Sequence, residues 1–327
     1  MPSHENATRA CPLCASRKIA DMERIDAMAL GRMYADFLGK SVGHLFEGSP
    51  VLIKKRCERC HLVFFDPPAS GDAAFYERLS EKKFYYPTQK DEYEYSLRHI
   101  QNAEKVLDIG CGAGEFASMV KNYTGIDINA GAVSKAREKG LRVFWETLEE
   151  HIATHPAAYD VICAFQVLEH IIDPRAFIGE MIKGLSEGGR IVLSVPSAES
   201  FIALAQNHLL NLPPHHLTWW PDHTLKSVAQ RFPLELIDIY HEPVQDIHLD
   251  AYVITLYTQI LNTLLPFRHY TLRERPGVAE RIRNRAAVML CNKTIGVFKS
   301  LRFRPIGHTV TAVFRLKTRP TSKSAER

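Results

Sequence analysis

From Lys105 onward, short apolar runs alternate with stretches whose apolar residues recur every three or four positions. The runs at 106–109, 123–126, 142–145, 159–165 and 190–195 predict strands, and 115–121, 130–139, 148–154 and 174–186 predict the helices between them. Short apolar strands separated by helices of this length build βαβ units, hence a mainly parallel sheet covered by helices. A helix at 225–231 and strands at 234–240 and 308–316 extend the sheet to seven strands, an α/β fold.

Residues 246–305 fall between the last two strands and predict a helical insertion or cap. The most apolar stretch, 249–267, has the length of a membrane span. Asp250, Thr255, Thr258, Gln259, Asn262 and Thr263 interrupt it, so it predicts a buried or cap helix instead. In the second half of the insertion, Val278, Ile282, Val288, Met289, Ile295, Phe298 and Leu301 lie among arginines, a basic amphipathic pattern. Upstream of the sheet, residues 1–68 end at Asp66-Pro67-Pro68, a stop for regular structure. Residues 69–104 read as an aromatic-rich helical linker or lid, with Phe84-Tyr85-Tyr86-Pro87 at its middle. The expected organisation is a cysteine-bearing module at 1–68, the lid at 69–104, a main domain at 105–245 and 306–318, the insertion at 246–305 and a disordered tail at 319–327.

Charge sharpens this division. Net charge is +4 overall, yet from Phe267 to the end there are 15 Lys and Arg against 3 Asp and Glu. Such asymmetry predicts an anionic partner, a membrane surface or phosphate, for the C-terminal region, or else a solvated basic face. Residues 1–10 are polar and lack the apolar core of a signal peptide, which predicts a cytoplasmic protein with at most a peripheral membrane contact. Seven cysteines, four of them in two Cys-x-x-Cys pairs, suit a reducing compartment with one metal site rather than a disulfide framework.

The chemistry concentrates at the end of the first strand of the main domain. Val106-Leu-Asp-Ile-Gly-Cys-Gly-Ala-Gly-Glu115 spaces Gly110, Gly112 and Gly114 by two residues between that strand and a helix. Glycines there let backbone approach a ligand closely, and a helix N-terminus favours an anionic group. A dinucleotide fingerprint would place the third glycine one position later, because it must cradle a pyrophosphate. S-adenosylmethionine has no phosphate, only a carboxylate. Tyr123-Thr-Gly-Ile-Asp127 is a second strand ending in an acid, suited to accept the two ribose hydroxyls. After the third strand, Glu146-Thr147-Leu148 stands where an adenine needs an acceptor or an apolar wall, and the fourth strand leads into Phe165-Gln-Val-Leu-Glu-His-Ile-Ile-Asp-Pro174.

The run 106–196 resembles class I S-adenosylmethionine-dependent methyltransferases, including the quinone-biosynthesis O-methyltransferases. The matching pieces are the Asp-x-Gly-x-Gly-x-Gly loop, Asp127, Glu169-His170 and Leu185-Ser-Glu-Gly-Gly189. The resemblance implies a Rossmann-like seven-stranded methyltransferase sheet with a helical insertion before its last strand. It also implies S-adenosyl-L-methionine as cofactor, contacted by Asp108, Gly110, Gly112, Gly114, Asp127, Ile128, Thr147, Leu148 and Gln166.

Cys11-Pro-Leu-Cys14 and Cys57-Glu-Arg-Cys60 form two knuckles able to bring four thiolates to one tetrahedral ion. Four sulfurs close the coordination sphere, so the expected Zn2+ is structural, in a zinc ribbon. His61 reads as a neighbour of that site rather than a ligand. A ribbon ahead of this core resembles sugar C-methyltransferases and related bacterial methyltransferases, in which it abuts the substrate cleft. Their large C-terminal domain is not recognisable here.

On the acceptor side, Asn211-Leu-Pro-Pro-His-His-Leu-Thr-Trp-Trp220 offers two bases active near neutral pH and two tryptophans that could line a pocket. The segment resembles the Pro-Pro-His-His-Leu-Thr signature of the same zinc-ribbon relatives. His215 or His216, with His170, are therefore the candidate catalytic residues, and His223 is a weaker one. In a competing arrangement Glu169, His170 and one of His215 and His216 bind a metal, as in the small-RNA 3′-end methyltransferases that the Glu-His pair resembles. Those carry Glu-x-x-Glu-His, and Gln166 replaces the first acid here, a poor divalent-cation ligand.

Methyl transfer to a small-molecule or glycan acceptor is the expected function. An RNA methyltransferase is the alternative that the ribbon and the basic C-terminal region raise. No Asn/Asp-Pro-Pro-Tyr/Phe motif follows the fourth strand, which disfavours nucleic acid. A silent methyltransferase-fold scaffold is disfavoured by the intact glycine loop and Asp127.

Overall fold

A computed structural model describes residues 10–82, 90–264 and 267–318. The aromatic run at 84–87 and the tail at 319–327 lie outside the described residues. In chain order the elements are β1 (Ile19–Asp26), α1 (Ala27–Leu38), β2 (Val51–Cys57), β3 (Val63–Asp66), α2 (Ala73–Ser80), α3 (Asp91–Ser96), β4 (Lys105–Ile109) and β5 (Asn122–Asp127). There follow α4 (Ala130–Glu138), β6 (Val143–Trp145), α5 (Leu148–Thr154), β7 (Tyr159–Phe165), α6 (Pro174–Gly184), β8 (Leu185–Pro196), β9 (Thr218–Trp219) and α7 (Asp222–Val228). β10 (Leu234–Pro243), α8 (Asp246–Leu264), α9 (Val278–Ser300) and β11 (Ile306–Leu316) complete the chain.

The main sheet has seven strands in the order β10-β11-β8-β7-β4-β5-β6. β8, β7, β4, β5 and β6 run parallel, and β11 is antiparallel to both of its neighbours. This is the mostly parallel, seven-stranded α/β sheet that the alternation of runs predicts. The chain leaves β4 toward β5 on one side and reaches β7 on the other, so a crevice opens between the carboxyl ends of β4 and β7. The strands facing that crevice are buried on both faces. Leu107, Val161, Ile162, Cys163, Ala164 and Val192 are fully enclosed, each large aliphatic contributing roughly 1.5–3 kcal/mol.

The expected helix at 115–121 is a 3-10 turn, Glu115–Met119. Seven residues separate Gly114 from the first residue of β5, and Val120 is already extended, so no further helical turn fits. The expected helical end at 186 and the residues up to Gly189 belong instead to β8, which begins at Leu185 and bulges against β7 before Arg190.

The segment at 10–68 does not close a core of its own. β1, β2 and β3 form an antiparallel sheet whose fourth strand is β9, two residues from far along the chain. Leu30, Tyr34, Phe46 and Leu52 pack there with Leu212 and Trp219, while Cys11, Leu13, Cys57 and Leu62 join the main core beside Trp220 and Leu225. Both tryptophans are therefore packing residues, not pocket walls.

The insertion is a hairpin of α8 and α9 that meets through Leu249, Val253 and Cys291. Most of α8 is only partly covered, so it is a cap helix rather than a buried one. Among the described residues no helix is long and apolar enough to cross a membrane.

Candidate active site and cysteine cluster

The loop after β4 is built from backbone. Gly110, Gly112 and Gly114 have φ of 68°, 56° and 79°, a left-handed geometry that a Cβ disfavours. At Gly110 a Cβ would also lie 2.5 Å from Val167 Cγ2, in the turn after β7, so only glycine lets the two loops meet. Asp127 at the end of β5 locks the loop: one carboxylate oxygen accepts from Gly112 N at 2.8 Å, the other from Asn129 N at 2.7 Å. Asp108 lies underneath, buried, and accepts from the Tyr123 hydroxyl at 2.9 Å. Burial pushes its carboxyl up to about 7.

On the far side of Asp127, Ile128 is 71% exposed, a largely uncovered apolar side chain. Trp145 Nε1 donates to its carbonyl oxygen at 2.9 Å. Thr147 caps α5 through its hydroxyl, in a capping box with Glu150, and the Leu148 side chain is buried in the main core.

Gln166 begins the turn after β7 with φ of 58°, an uncommon conformation for a residue with a side chain. Its amide nitrogen donates to Glu92 Oε2 at 2.8 Å, from α3. The neighbour of Glu92, Tyr93, packs on Phe116 and Phe165 with ring centroids 5.1 and 4.8 Å away. Thus α3 connects the glycine loop to the turn after β7.

That turn leads to Glu169 and His170, which meet His215 and His216. The rings of His170 and His215 lie 4.5 Å apart, those of His170 and His216 5.1 Å, and those of His215 and His216 4.5 Å. Glu169 Oε1 is 3.8 Å from His170 Nε2 and 3.9 Å from His216 Nε2. Backbone bonds hold the two loops together: Leu217 N donates to Glu169 O at 2.8 Å, and His170 Nδ1 to His215 O at 2.6 Å. Burial holds His170 down to about 4 and His215 and His216 well below the usual imidazole range, so all three are neutral at pH 7. It pushes Glu169 up to about 8.

The four knuckle cysteines come together as well. Cys11 and Cys60 sulfurs are 3.6 Å apart, Cys14 and Cys57 sulfurs 3.5 Å, and all four lie within 4.8 Å of one another. A tetrahedral zinc with Zn–S bonds of about 2.3 Å sets sulfurs roughly 3.8 Å apart, so the cluster is compatible with that ion. His61 and His223 stack at 4.1 Å beside it, outside the histidine cluster, and Thr224 Oγ1 donates to Cys60 O at 2.8 Å.

A family model described as a methyltransferase domain matches residues 74–239. The chain belongs to this methyltransferase family. Among curated relatives, a ubiquinone biosynthesis O-methyltransferase of Klebsiella pneumoniae subsp. pneumoniae is 39% identical over 101 residues, 28% of this chain and 42% of that one. The enzyme of that name from Sodalis glossinidius is 28% identical over 170 residues, 44% of this chain and 66% of the other. The chain thus spans about two fifths of the length of the first of these relatives. Among solved structures, a SAM dependent methyltransferase from Archaeoglobus fulgidus is 18% identical with a TM-score of 0.47, covering 73% of this chain and 99% of that one. A possible histamine N-methyltransferase from Thermotoga maritima is 14% identical with a TM-score of 0.43, over 69% and 88%.

The structure gathers Gly110, Gly112, Gly114, Asp108 and Asp127 around the loop after β4, and His170, His215 and His216 where the turn after β7 meets the loop before β9. Gln166 stands between them. Sequence reasoning missed Glu92 and Tyr93 in α3, Tyr76 in α2, whose hydroxyl is 3.4 Å from His170 Nδ1, and Asn211, whose Oδ1 is 3.2 Å from His216 Nδ1. A signal was present: Glu92 is an acid in the acidic-aromatic run Asp91-Glu-Tyr-Glu-Tyr95, and it is buried. Glu242 was missed too. It is buried, accepts from Thr309 N at 3.0 Å and is pushed up to about 7 by burial.

Proposed function

We propose that this protein transfers a methyl group from S-adenosylmethionine to a hydroxyl of a small-molecule acceptor. One observation carries the reading. A glycine loop locked by Asp127 lies at the same carboxyl end of the strands as a buried Glu169–histidine cluster, and α3 bridges the loop and the turn after β7 through Glu92 and Tyr93. The residues suit the cofactor. Left-handed glycines leave room at the loop where a Cβ would clash, Asp127 offers a carboxylate beside it, and Ile128 presents an open apolar face. When bound, S-adenosylmethionine supplies an electrophilic methyl on a sulfonium. Gly110 to Gly114 would hold its amino-acid end, Asp127 its ribose hydroxyls and Ile128 its adenine.

At the other end, His215 or His216 takes the acceptor's proton or holds its oxygen, with His170 beside them. Neutral imidazoles are competent for this at pH 7, and enclosure between the two loops excludes water from the reacting oxygen. The O-methyltransferase names of the curated relatives support oxygen as the acceptor atom. The cysteine cluster would hold a structural zinc beside β2 and β3, and β3 carries β9 and with it the His215–His216 loop.

The hairpin adds a docking surface for anionic lipid. Val278, Ile282, Met289, Val297, Leu301 and Phe303 are exposed, in company with exposed Arg281, Arg285, Lys293, Lys299 and Arg302. The test of the central reading is calorimetric titration with S-adenosylmethionine, followed by a search for S-adenosylhomocysteine release with catechols, phenols and glycans. Absence of cofactor binding would overturn it.

A further inference from the structure

We infer that Glu169, His170, His215 and His216 hold one divalent transition-metal ion, separate from the ion at the four cysteines. The ligand atoms of the three histidines lie within 4.8 Å of one another, and Glu169 Oε1 adds a carboxylate 3.8 and 3.9 Å from His170 Nε2 and His216 Nε2. Ligand atoms around an ion with bonds of about 2.0–2.2 Å sit roughly 3–3.5 Å apart, so small side-chain shifts close the site.

The hydrogen bonds around the cluster prepare the rings for a metal. His170 Nδ1 meets His215 O at 2.6 Å, His215 Nδ1 meets Leu210 O at 2.8 Å, and His216 Nδ1 meets Asn211 Oδ1 at 3.2 Å. The Asn211 amide orientation is fixed, because its Nδ2 donates to Ile202 O at 3.3 Å. An amide oxygen only accepts. Each Nδ1 therefore carries the proton, and in a neutral ring the lone pair is on Nε2. Carbonyl partners on the second nitrogen are the usual outer support of metal-binding histidines.

Glu169 supplies the independent observation. Its side chain is 1% exposed, and among the described residues neither carboxylate oxygen has a hydrogen-bond partner on another residue. A carboxylate taken from water without a donor costs several kcal/mol, and a cation bound between it and the imidazoles removes that cost. Three imidazoles and one carboxylate favour Zn2+, Mn2+, Fe2+ or Co2+ over Mg2+ and Ca2+, which take mainly oxygen ligands. The ion's place rests on this geometry alone. Its role rests on the methyl-transfer reading and replaces the histidine base there: bound to the acceptor oxygen, the ion would lower the hydroxyl's pKa so that its proton is lost to water as the acceptor binds.

The test uses the full-length protein. Plasma mass spectrometry of protein dialysed against Zn2+ should find two ions per chain. Chelator-treated protein titrated with Co2+ should show one set of bands with thiolate charge transfer and one without. Glu169→Gln keeps the shape and puts a neutral amide where burial already favours the neutral acid, so it should fold; it should lose the second ion, with at least a hundredfold weaker Co2+ binding at the non-thiolate site. His216→Gln should do the same. A single, thiolate-type ion in the parent protein overturns the proposal, as does undiminished binding in Glu169→Gln. Turnover by protein holding only the thiolate-bound ion overturns the role given to the second ion and leaves its binding site and methyl transfer standing. A second ion that disappears in Glu169→Gln supports the proposed site whether or not turnover is found.

Discussion

The two ends of the crevice are made from different materials. The proposed cofactor end is mostly backbone, three glycines within five residues, locked by one carboxylate accepting two amide hydrogens. The proposed acceptor end consists of side chains from separate segments, Tyr76, Glu169-His170, Asn211 and His215-His216, brought together by packing. A backbone site fails when a Cβ is added or the locking acid is removed. A side-chain site fails when a single group is deleted, with its neighbours left in place.

Gly110→Ala gives the largest expected effect. The new methyl meets Val167 at 2.5 Å in a left-handed conformation, and S-adenosylmethionine affinity should fall by about a hundredfold or more by calorimetry. Tolerance of alanine would mean that backbone geometry does not build this end. Asp127→Ala should weaken cofactor binding by about thirtyfold or more, since charge-assisted bonds contribute about 1.5–3 kcal/mol each. Cofactor affinity within a factor of two of the parent would remove the ribose assignment.

His216→Ala sharpens the contrast from the other side: kcat should drop by about a hundredfold while the cofactor Kd stays unchanged. If both parameters move together, the two ends are one unit. Asp108 links them to pH. The unfolded chain loses this proton near 3.8 and the folded chain near 7, so rising pH across that window favours unfolding. Asp108's share of the stability of the cofactor-free protein should be full below about pH 4, fall by up to roughly 4 kcal/mol by pH 7 and stay level above it. Asp108→Asn should flatten that part of the urea-unfolding profile. The smallest effect belongs to the hairpin, where Phe303→Ser should reduce sedimentation with phosphatidylglycerol vesicles about threefold and leave neutral vesicles unaffected.

Strand runs such as 159–165 were legible because a strand buried on both faces is a continuous apolar run, and β7 has those bounds. The turn at Glu115–Met119 was not, because its sequence is as helical as its neighbours' and only the distance to β5 shortens it. The hairpin was legible as two helical stretches, whereas the exposure of α8 depends on what packs against it.

By itself the sequence determined what is local: the alternation that makes the sheet, the glycine spacing that frees the backbone after β4, and the two cysteine knuckles. Each is set by preferences acting over a few residues. Tertiary structure decided what joins distant positions. It completed the N-terminal sheet with β9, placed Glu92 against Gln166 and enclosed Glu169 among three histidines whose Nδ1 atoms are already committed. The reason is physical: burial and hydrogen-bond partners belong to the packed chain, and no pattern along one segment carries them.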